Sequence, residues 1–226
     1  MRKLVPVAAA IATSVSVVAL PAAMAYAAAP VHVLTINKVR GPAVKVGAIL
    51  KSGLAKGTSA IFTLPTLLGP AKLTCKSAAI SAKVKTNPAK PGTATESITA
   101  ASTAKCTLTG ISGVTFKSIK SLNLPYKVTV SDAAGLPVKV SGQSTTKPIL
   151  FSVKVAFNGS NFTCNYKAAS ITGNASNTGN KIAFSKQKFV KAAGSNSACK
   201  GPVKFSATYG PVKDTSVMLS PKVFVN

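Results

Sequence analysis

The residues that could do chemistry are few in this chain of 226 residues, and they stand far apart. There is one histidine, His32, and the acidic residues are Glu96, Asp132 and Asp214. A Ser-His-Asp triad or a zinc site would have to use His32, and glycosidase chemistry would need two carboxylates to converge. Turns explain the two aspartates better, and Glu96 lies in the segment between two cysteines. We therefore predict no catalytic residue, no cofactor and no metal site.

The four cysteines stand in two similar segments. Cys75 follows a threonine and is separated by 30 residues from Cys106, and Cys164 follows a threonine and is separated by 34 residues from Cys199. Three connectivities are possible, and the similarity of the segments favours Cys75–Cys106 and Cys164–Cys199. Closing a loop of about 30 residues stabilises a fold by roughly 3–4 kcal/mol in the chain-entropy model. The close cysteine pairs of zinc sites are absent from the sequence.

Residues 1–27 have the pattern of a secretory signal peptide. Arg2 and Lys3 precede an apolar run over residues 5–20, and Ala-x-Ala triplets between residues 23 and 27 fit cleavage by signal peptidase. The apolar run, about 15 residues, is shorter than the ~20 needed to span a bilayer. We expect a secreted chain, either extracellular or associated with the cell wall, with no transmembrane segment after cleavage.

The charge of the chain is its most unusual property. The formal net charge of +25 falls to +23 when Arg2 and Lys3 leave with the signal peptide, and Arg40 is the remaining arginine. Such a charge attracts polyanions, which outside a cell include wall polymers, anionic lipids, acidic polysaccharides and nucleic acid. Sequence-specific readers of bases rely on arginine, so we expect diffuse attraction and no specific nucleic-acid partner.

Alternation of apolar and polar residues predicts β-strands throughout the chain. The clearest examples are residues 126–131, Ile149–Phe157 and Val203–Tyr209, with a hairpin turn at Asn158-Gly159. We predict an all-β fold of two Ig-like or jelly-roll-like β-sandwich modules, each of which contains its own disulfide. Module 1 would span 28–143 and module 2 would span 144–226. Their merger into one larger sandwich stays open as an alternative.

The basic residues cluster modestly along one predicted strand. Lys181, Lys186, Lys188 and Lys191 alternate there with two phenylalanines. Interleaved lysine and aromatic residues occur in nucleic-acid grooves. A solvated strand face with inward-pointing phenylalanines explains the pattern better, and we take these lysines as candidate contacts for a polyanion.

Both halves of the mature chain resemble uncharacterised small secreted proteins of high-GC Gram-positive bacteria. In the first half the resemblance rests on Leu73-Thr74-Cys75, Asn87-Pro88, Pro91-Gly92 and Leu124-Pro125-Tyr126. In the second half it rests on Phe162-Thr163-Cys164, Lys181–Phe184 and Ala207-Thr208-Tyr209. The resemblance implies a β-sandwich and carries no catalytic residue or substrate.

The sequence favours a non-enzymatic, strongly cationic protein of the cell envelope that binds an anionic wall polymer or lipid surface. The first alternative is a secreted effector that acts on foreign membranes through its lysines and exposed Phe62, Leu67 and Leu68. The second is a hydrolase, which the isolated histidine and the scarcity of carboxylates disfavour.

Overall fold

A computed structural model describes residues 29–66 and 69–226 of the chain. Every regular element in this part is a β-strand, and no helix occurs in it. The all-β prediction is therefore confirmed. The predicted signal peptide, residues 1–27, lies outside the described residues, and so do Leu67 and Leu68.

Fifteen strands follow one another along the chain, and two of them, β4 and β5, are unusually long at 18 and 17 residues. The strands are β1 Leu34–Ile36, β2 Ile49–Gly53, β3 Ala60–Thr66, β4 Gly69–Thr86, β5 Thr93–Thr109, β6 Val114–Leu122, β7 Tyr126–Ser131, β8 Pro137–Ser141, β9 Ile149–Phe157, β10 Ser160–Ala168, β11 Ser170–Ser176, β12 Lys181–Lys191, β13 Val203–Tyr209, β14 Lys213–Asp214 and β15 Val223–Val225. Three strands predicted by alternation, β7, β9 and β13, have the predicted bounds.

Eight antiparallel strands close into a barrel. Their order is β11-β8-β7-β5-β4-β3-β13-β12, and β12 pairs back to β11. A bulge between Phe184 and Gln187 divides β12, so its first residues pair with β11 and its last residues pair with β10. Bulges bend strands and are common where a sheet turns a corner. Closure gives each of these strands a partner on both sides over part of its length, although residues 99–109 of β5 pair only with β4.

The remaining strands extend this barrel. β10, β9 and β6 continue the sheet outward from β12, while β2 pairs with the second half of β4 and carries β14. β1 and β15 form a separate two-stranded sheet that joins the two ends of the described chain. A hairpin connects β9 to β10 through Asn158 and Gly159, which both have positive φ, as predicted.

The finer expectation of Ig-like or jelly-roll-like sandwiches is not confirmed, because the closed barrel takes strands from both halves of the sequence. β13 pairs with β3, β11 with β8 and β9 with β6, across the predicted boundary between residues 143 and 144. The boundary itself stays a prediction. Local alternation gives the strands, whereas their partners depend on long-range contacts that a periodic pattern does not encode.

The barrel core is rich in phenylalanine. Phe62 lies 5.0 Å from Phe151 and 4.9 Å from Phe205, and Phe151 lies 5.0 Å from Phe189 (ring centroids). Phe62 is 6% exposed, so its predicted role as an exposed membrane contact is wrong. Its ring packs in the core because the alternation of β3 places it on the inward face.

Both predicted disulfides are confirmed. Cys75–Cys106 joins directly opposite residues of β4 and β5, and Cys164–Cys199 joins β10 to the segment before β13. The described residues contain no free cysteine. Two disulfides indicate an oxidising environment, which is the coarser part of the predicted extracellular location.

Candidate functional site

The two aspartates serve the backbone. Asp132 accepts hydrogen bonds from the backbone N–H of Gly92 with both carboxylate oxygens, each at 3.1 Å. Asp214 is 1% exposed and accepts a hydrogen bond from the backbone N–H of Ser216 at 2.9 Å. Both side chains therefore hold turns or strand connections.

His32 is placed beside the backbone of a neighbouring segment. It forms an isolated bridge with Ala89, and its Nδ1 lies 2.8 Å from the carbonyl oxygen of Asn87. Within residues 29–66 and 69–226, no three side chains of His, Cys, Asp or Glu come together closely enough to hold a metal ion. The residue types suited to catalysis therefore stay as scattered in the described fold as they are in the sequence.

The four lysines predicted as polyanion contacts are all exposed along β12. Phe184 and Phe189, between them, are buried. β12 has 11 residues, so Lys181 and Lys191 are separated by roughly 30 Å along the strand. The structure therefore does not bring these four lysines together.

Lys188 belongs to a row of basic residues that runs across four strands. It lies directly opposite Lys204 of β13, which lies opposite Thr63 of β3, which lies opposite Lys72 of β4. Directly opposite residues in an antiparallel sheet project from the same face, and like charges there destabilise the sheet. All three lysines are exposed. We call them the first lysine row.

A second lysine row has no neutral residue between its members. Lys51 of β2 lies opposite Lys213 of β14, and Lys213 forms a bridge with Lys222. All three side chains are exposed. Neighbouring strands are about 4.8 Å apart, so three positive charges stand within roughly 10 Å across the sheet. Elsewhere on the surface lysines commonly face Ser or Thr, as Lys139 faces Thr129.

Apolar side chains are concentrated beside this second row. Of the nine exposed large apolar residues in the described chain, five lie in three loops, 37–42, 45–48 and 215–220. They are Val39, Val46, Val217, Met218 and Leu219, and the last two are 86% and 91% exposed. We call these three loops the loop tip.

Hydrogen bonds connect the loop tip to the second lysine row. The N–H of Asn37 donates to the carbonyl of Lys222 at 3.0 Å. The N–H of Ile49 donates to Oγ of Ser216 at 2.7 Å. The loop tip also carries the exposed basic residues Lys38, Arg40 and Lys45. The loop tip therefore carries both exposed apolar and exposed basic side chains.

The interior of the barrel contains the third carboxylate. A cavity of 130 Å³ lies among the core residues, and a second cavity of 50 Å³ lies next to it. Glu96 lines both cavities, together with Ile80, Ala82 and Ile182. In the sheet Glu96 stands directly between Val84 of β4 and Val128 of β7. Its half-buried side chain is the acidic group among the residues that line the two cavities, of which the larger is mainly apolar and the smaller also includes Lys51 and Lys181.

Burial controls the ionisation of the groups around these cavities. It raises the pKa of Glu96 from 4.5 to about 7 through desolvation of the carboxylate. Burial raises the pKa of Tyr209 to about 12. It also raises the pKa of Tyr126, although hydrogen bonds to the carbonyls of Leu150 and Leu122 lower it. Both phenols are therefore neutral at physiological pH.

Sequence reasoning missed Glu96, although the signal was present. From Thr93 to Thr99 the odd positions are all Ser or Thr, and the even positions are Ala94, Glu96 and Ile98. Because strand side chains alternate between faces, this parity places Glu96 on the apolar side. The lysine rows carry no comparable signal, because they arise from pairing between strands distant in sequence.

Fold and site together define a disulfide-bonded protein with an eight-stranded β-barrel, two rows of exposed lysines, and one carboxyl group among the residues that line its interior cavities. No family model, curated protein or solved structure is detectably similar to the chain. Its described residues include no helix of the length and apolar character that crossing a bilayer requires.

Proposed function

We propose that this protein is a secreted, non-enzymatic binding protein of the cell envelope, held to anionic polymers or lipids by its lysines. The proposal keeps the expectation from composition and charge and adds a location on the surface. The contact would be made through the two lysine rows rather than through the length of β12. Of the four lysines expected from sequence, Lys188 belongs to this contact directly, and Lys186 and Lys191 flank it on the same strand.

The observation that carries the proposal is the second lysine row. Lys51, Lys213 and Lys222 repel one another across neighbouring strands. Asp214, which is adjacent in sequence, is buried and hydrogen-bonded to Ser216. An anionic polymer or a layer of anionic head groups would supply the missing countercharge. Binding would therefore relieve a repulsion that the free protein carries.

A triple variant, Lys51→Gln, Lys213→Gln and Lys222→Gln, tests this assignment. Each lysine near an anionic surface contributes about 1 kcal/mol, so the triple variant should bind vesicles containing phosphatidylglycerol about 100-fold more weakly. Cosedimentation with such vesicles and with isolated cell envelopes at low salt measures the loss. Because attraction between exposed charges is screened, binding of the wild type should fall steeply between about 0.05 and 0.5 M salt, as the Debye length decreases from roughly 14 to 4 Å.

The matched control replaces three exposed lysines outside both rows, Lys56, Lys139 and Lys154, with glutamine. It removes the same charge from scattered positions, and we expect it to weaken binding only a few-fold. Equal losses in the two triple variants would refute the assignment to the second row and leave a diffuse attraction. Binding that is indifferent to salt would refute the electrostatic proposal itself.

A second candidate function, action on membranes, is favoured by the loop tip. Met218 and Leu219 are almost fully exposed in the segment that connects Lys213 to Lys222. Such a combination fits the interface of an anionic bilayer, where apolar side chains enter the acyl boundary and lysines contact the head groups. The sequence-based hypothesis assigned the membrane contact to Phe62, which is buried. In this candidate Met218 and Leu219 make the contact instead.

Dye leakage from anionic vesicles separates the two functions. The binding protein should adsorb without releasing dye, whereas a membrane-active effector should release it. Met218→Ser with Leu219→Ser should abolish leakage in the second case. Both substitutions leave the net charge unchanged, so the experiment needs no charge-matched control variant. Leakage by the wild type would show that the non-disruptive proposal is wrong.

A further inference from the structure

We propose that the barrel interior is a binding site for a small apolar primary amine, with the Glu96 carboxylate as its counter-ion. The site lies on the inner side of the barrel sheet, and Lys51 of the second lysine row also lines the smaller of its two cavities. Two observations carry it. They are the adjoining cavities of 130 and 50 Å³, and the Glu96 carboxyl group that lines both.

The lining of the larger cavity sets the apolar character of the ligand. Apart from Glu96, its wall is formed mainly by aromatic and aliphatic side chains, among them Ile98, Val138, Phe184 and Phe205. An interior of eight strands is either filled by side chains or holds one small ligand. Apolar cavities of about 150 Å³ stay dry and take up benzene-sized molecules. The ligand should therefore have about six to ten non-hydrogen atoms.

The carboxyl group sets the polar end of the ligand. A buried carboxylate is stable only when it is paired or hydrogen-bonded. Val84 and Val128 stand on either side of Glu96 and donate no side-chain hydrogen bond. An amine satisfies the group by proton transfer: the carboxylic O–H bond breaks, an N–H bond forms, and a carboxylate–ammonium pair results. No other reactant is needed.

The lysines at the smaller cavity distinguish a primary amine from a permanent cation. Lys51 and Lys181 line this cavity, and the protein is strongly cationic as a whole. A quaternary ammonium ion meets this repulsion during entry, and it has no N–H to donate. A primary amine enters in its neutral form and becomes charged only when it reaches Glu96.

The titratable groups around Glu96 define the pH at which binding is strongest. They are Tyr126 and Tyr209 in the larger cavity and Lys51 and Lys181 in the smaller one. The pKa values of both tyrosines are raised, so the phenols stay neutral. Proton exchange between Glu96, with its pKa of about 7, and the amine therefore places strongest binding between pH 7 and the pKa of the amine.

The experiment uses n-hexylamine as the probe, with n-hexanol and hexyltrimethylammonium as matched ligands of the same chain length. Binding to residues 28–226 is measured at pH 8 by NMR titration. Glu96 is the sole glutamate of the chain, so selective ¹³C labelling gives one carboxyl resonance. Glu96→Gln is the test variant. Asp132→Asn is its control, because it changes net charge equally outside the cavities.

We expect hexylamine to bind the wild type and Asp132→Asn alike, and to bind Glu96→Gln at least tenfold more weakly. At pH 6 it should shift the Glu96 resonance toward the ionised form. Hexanol should bind wild type and Glu96→Gln equally, and hexyltrimethylammonium should bind neither. Equal binding of hexylamine to wild type and Glu96→Gln would overturn the proposal, and so would the absence of any shift at millimolar hexylamine.

Discussion

Replacing Glu96 with glutamine should make this protein more stable at alkaline pH. Glutamine has nearly the same shape as glutamate, so the substitution keeps the packing between Val84 and Val128 and removes the titration. The pKa of Glu96 is raised from 4.5 to about 7 by burial. Between these two values the folded protein holds a proton that the unfolded chain has already lost. The free energy of unfolding of the wild type must therefore decrease as pH rises through this window.

The size of the effect follows from the shift. Each pH unit corresponds to 1.36 kcal/mol, so a shift of about 2.5 units amounts to about 3 kcal/mol at most. The side chain of Glu96 is only half-buried, and this partial exposure reduces the free-energy difference. Below about pH 4 the wild type and Glu96→Gln should show no titration difference, and above about pH 8 the difference should be complete. With an m-value of about 2 kcal/mol/M, the urea midpoints would separate by about 1–1.5 M.

The assay is urea unfolding at constant ionic strength and intact disulfides, at pH 4.5 and pH 8.5, for the wild type, Glu96→Gln and Asp132→Asn. Subtracting the free energy of unfolding of Glu96→Gln from that of the wild type at each pH cancels the contribution of all other titrating groups. The range stops below pH 10, because the raised pKa values of Tyr166 and Tyr209 make the folded state lose stability above that value. Parallel pH profiles for the wild type and Glu96→Gln would refute the assignment of Glu96 to a desolvated interior position.

Two further predictions concern stability. Replacing Cys164 and Cys199 with alanine should lower the free energy of unfolding by about 2–5 kcal/mol, because it removes a crosslink between residues with a sequence separation of 35. Urea unfolding of this variant and of the oxidised wild type measures the difference. An unchanged midpoint would contradict a structural role for the disulfide. Asn226→Ala should cost about 1–3 kcal/mol, because the Asn226 amide donates to Oγ1 of the fully buried Thr35 at 2.9 Å and to the carbonyl of His32 at 2.9 Å. Asn226→Asp, which keeps one acceptor oxygen, is the comparison.

Strands were predictable from this sequence because each is a local property. In β9 the residues 149, 151, 153 and 155 are apolar and buried, as the alternation requires. Phe157, which continues the alternation, is 46% exposed because it borders the hairpin turn. A pattern therefore identifies the face of a residue more reliably than it identifies the end of the core.

The barrel was not predictable by the same reasoning. Its closure depends on β12 pairing with β11 on one side and β13 on the other, and on β13 reaching β3 from the far half of the chain. Alternating strands of similar length are compatible with both sandwiches and barrels. The cysteine spacing gave the correct pairs, but one pair joins adjacent strands of a single sheet and so says nothing about closure.

The same limit explains which parts of the candidate site could be predicted. Net charge is additive, so the attraction to polyanions follows from composition alone. The grouping of lysines into rows depends on register, since Lys51, Lys213 and Lys222 come together only after β2 and β14 pair. The lysines that are close in sequence, on β12, are spread along the strand instead. Proximity in sequence was therefore a poor guide to proximity in space.

The placement of the three carboxylates connects the surface with the interior. A protein with 28 basic residues and 3 acidic ones would gain most stability from acids placed among its lysines. Instead, Asp132 and Asp214 hold backbone N–H groups, and Glu96 occupies an apolar wall where its charge is unfavourable. Asp132 and Asp214 stabilise the fold through these hydrogen bonds, whereas the Glu96 carboxyl group makes no such hydrogen bond within the described chain. An ionisable group that destabilises the fold and forms no stabilising contact is a strong reason to look for a ligand that binds it.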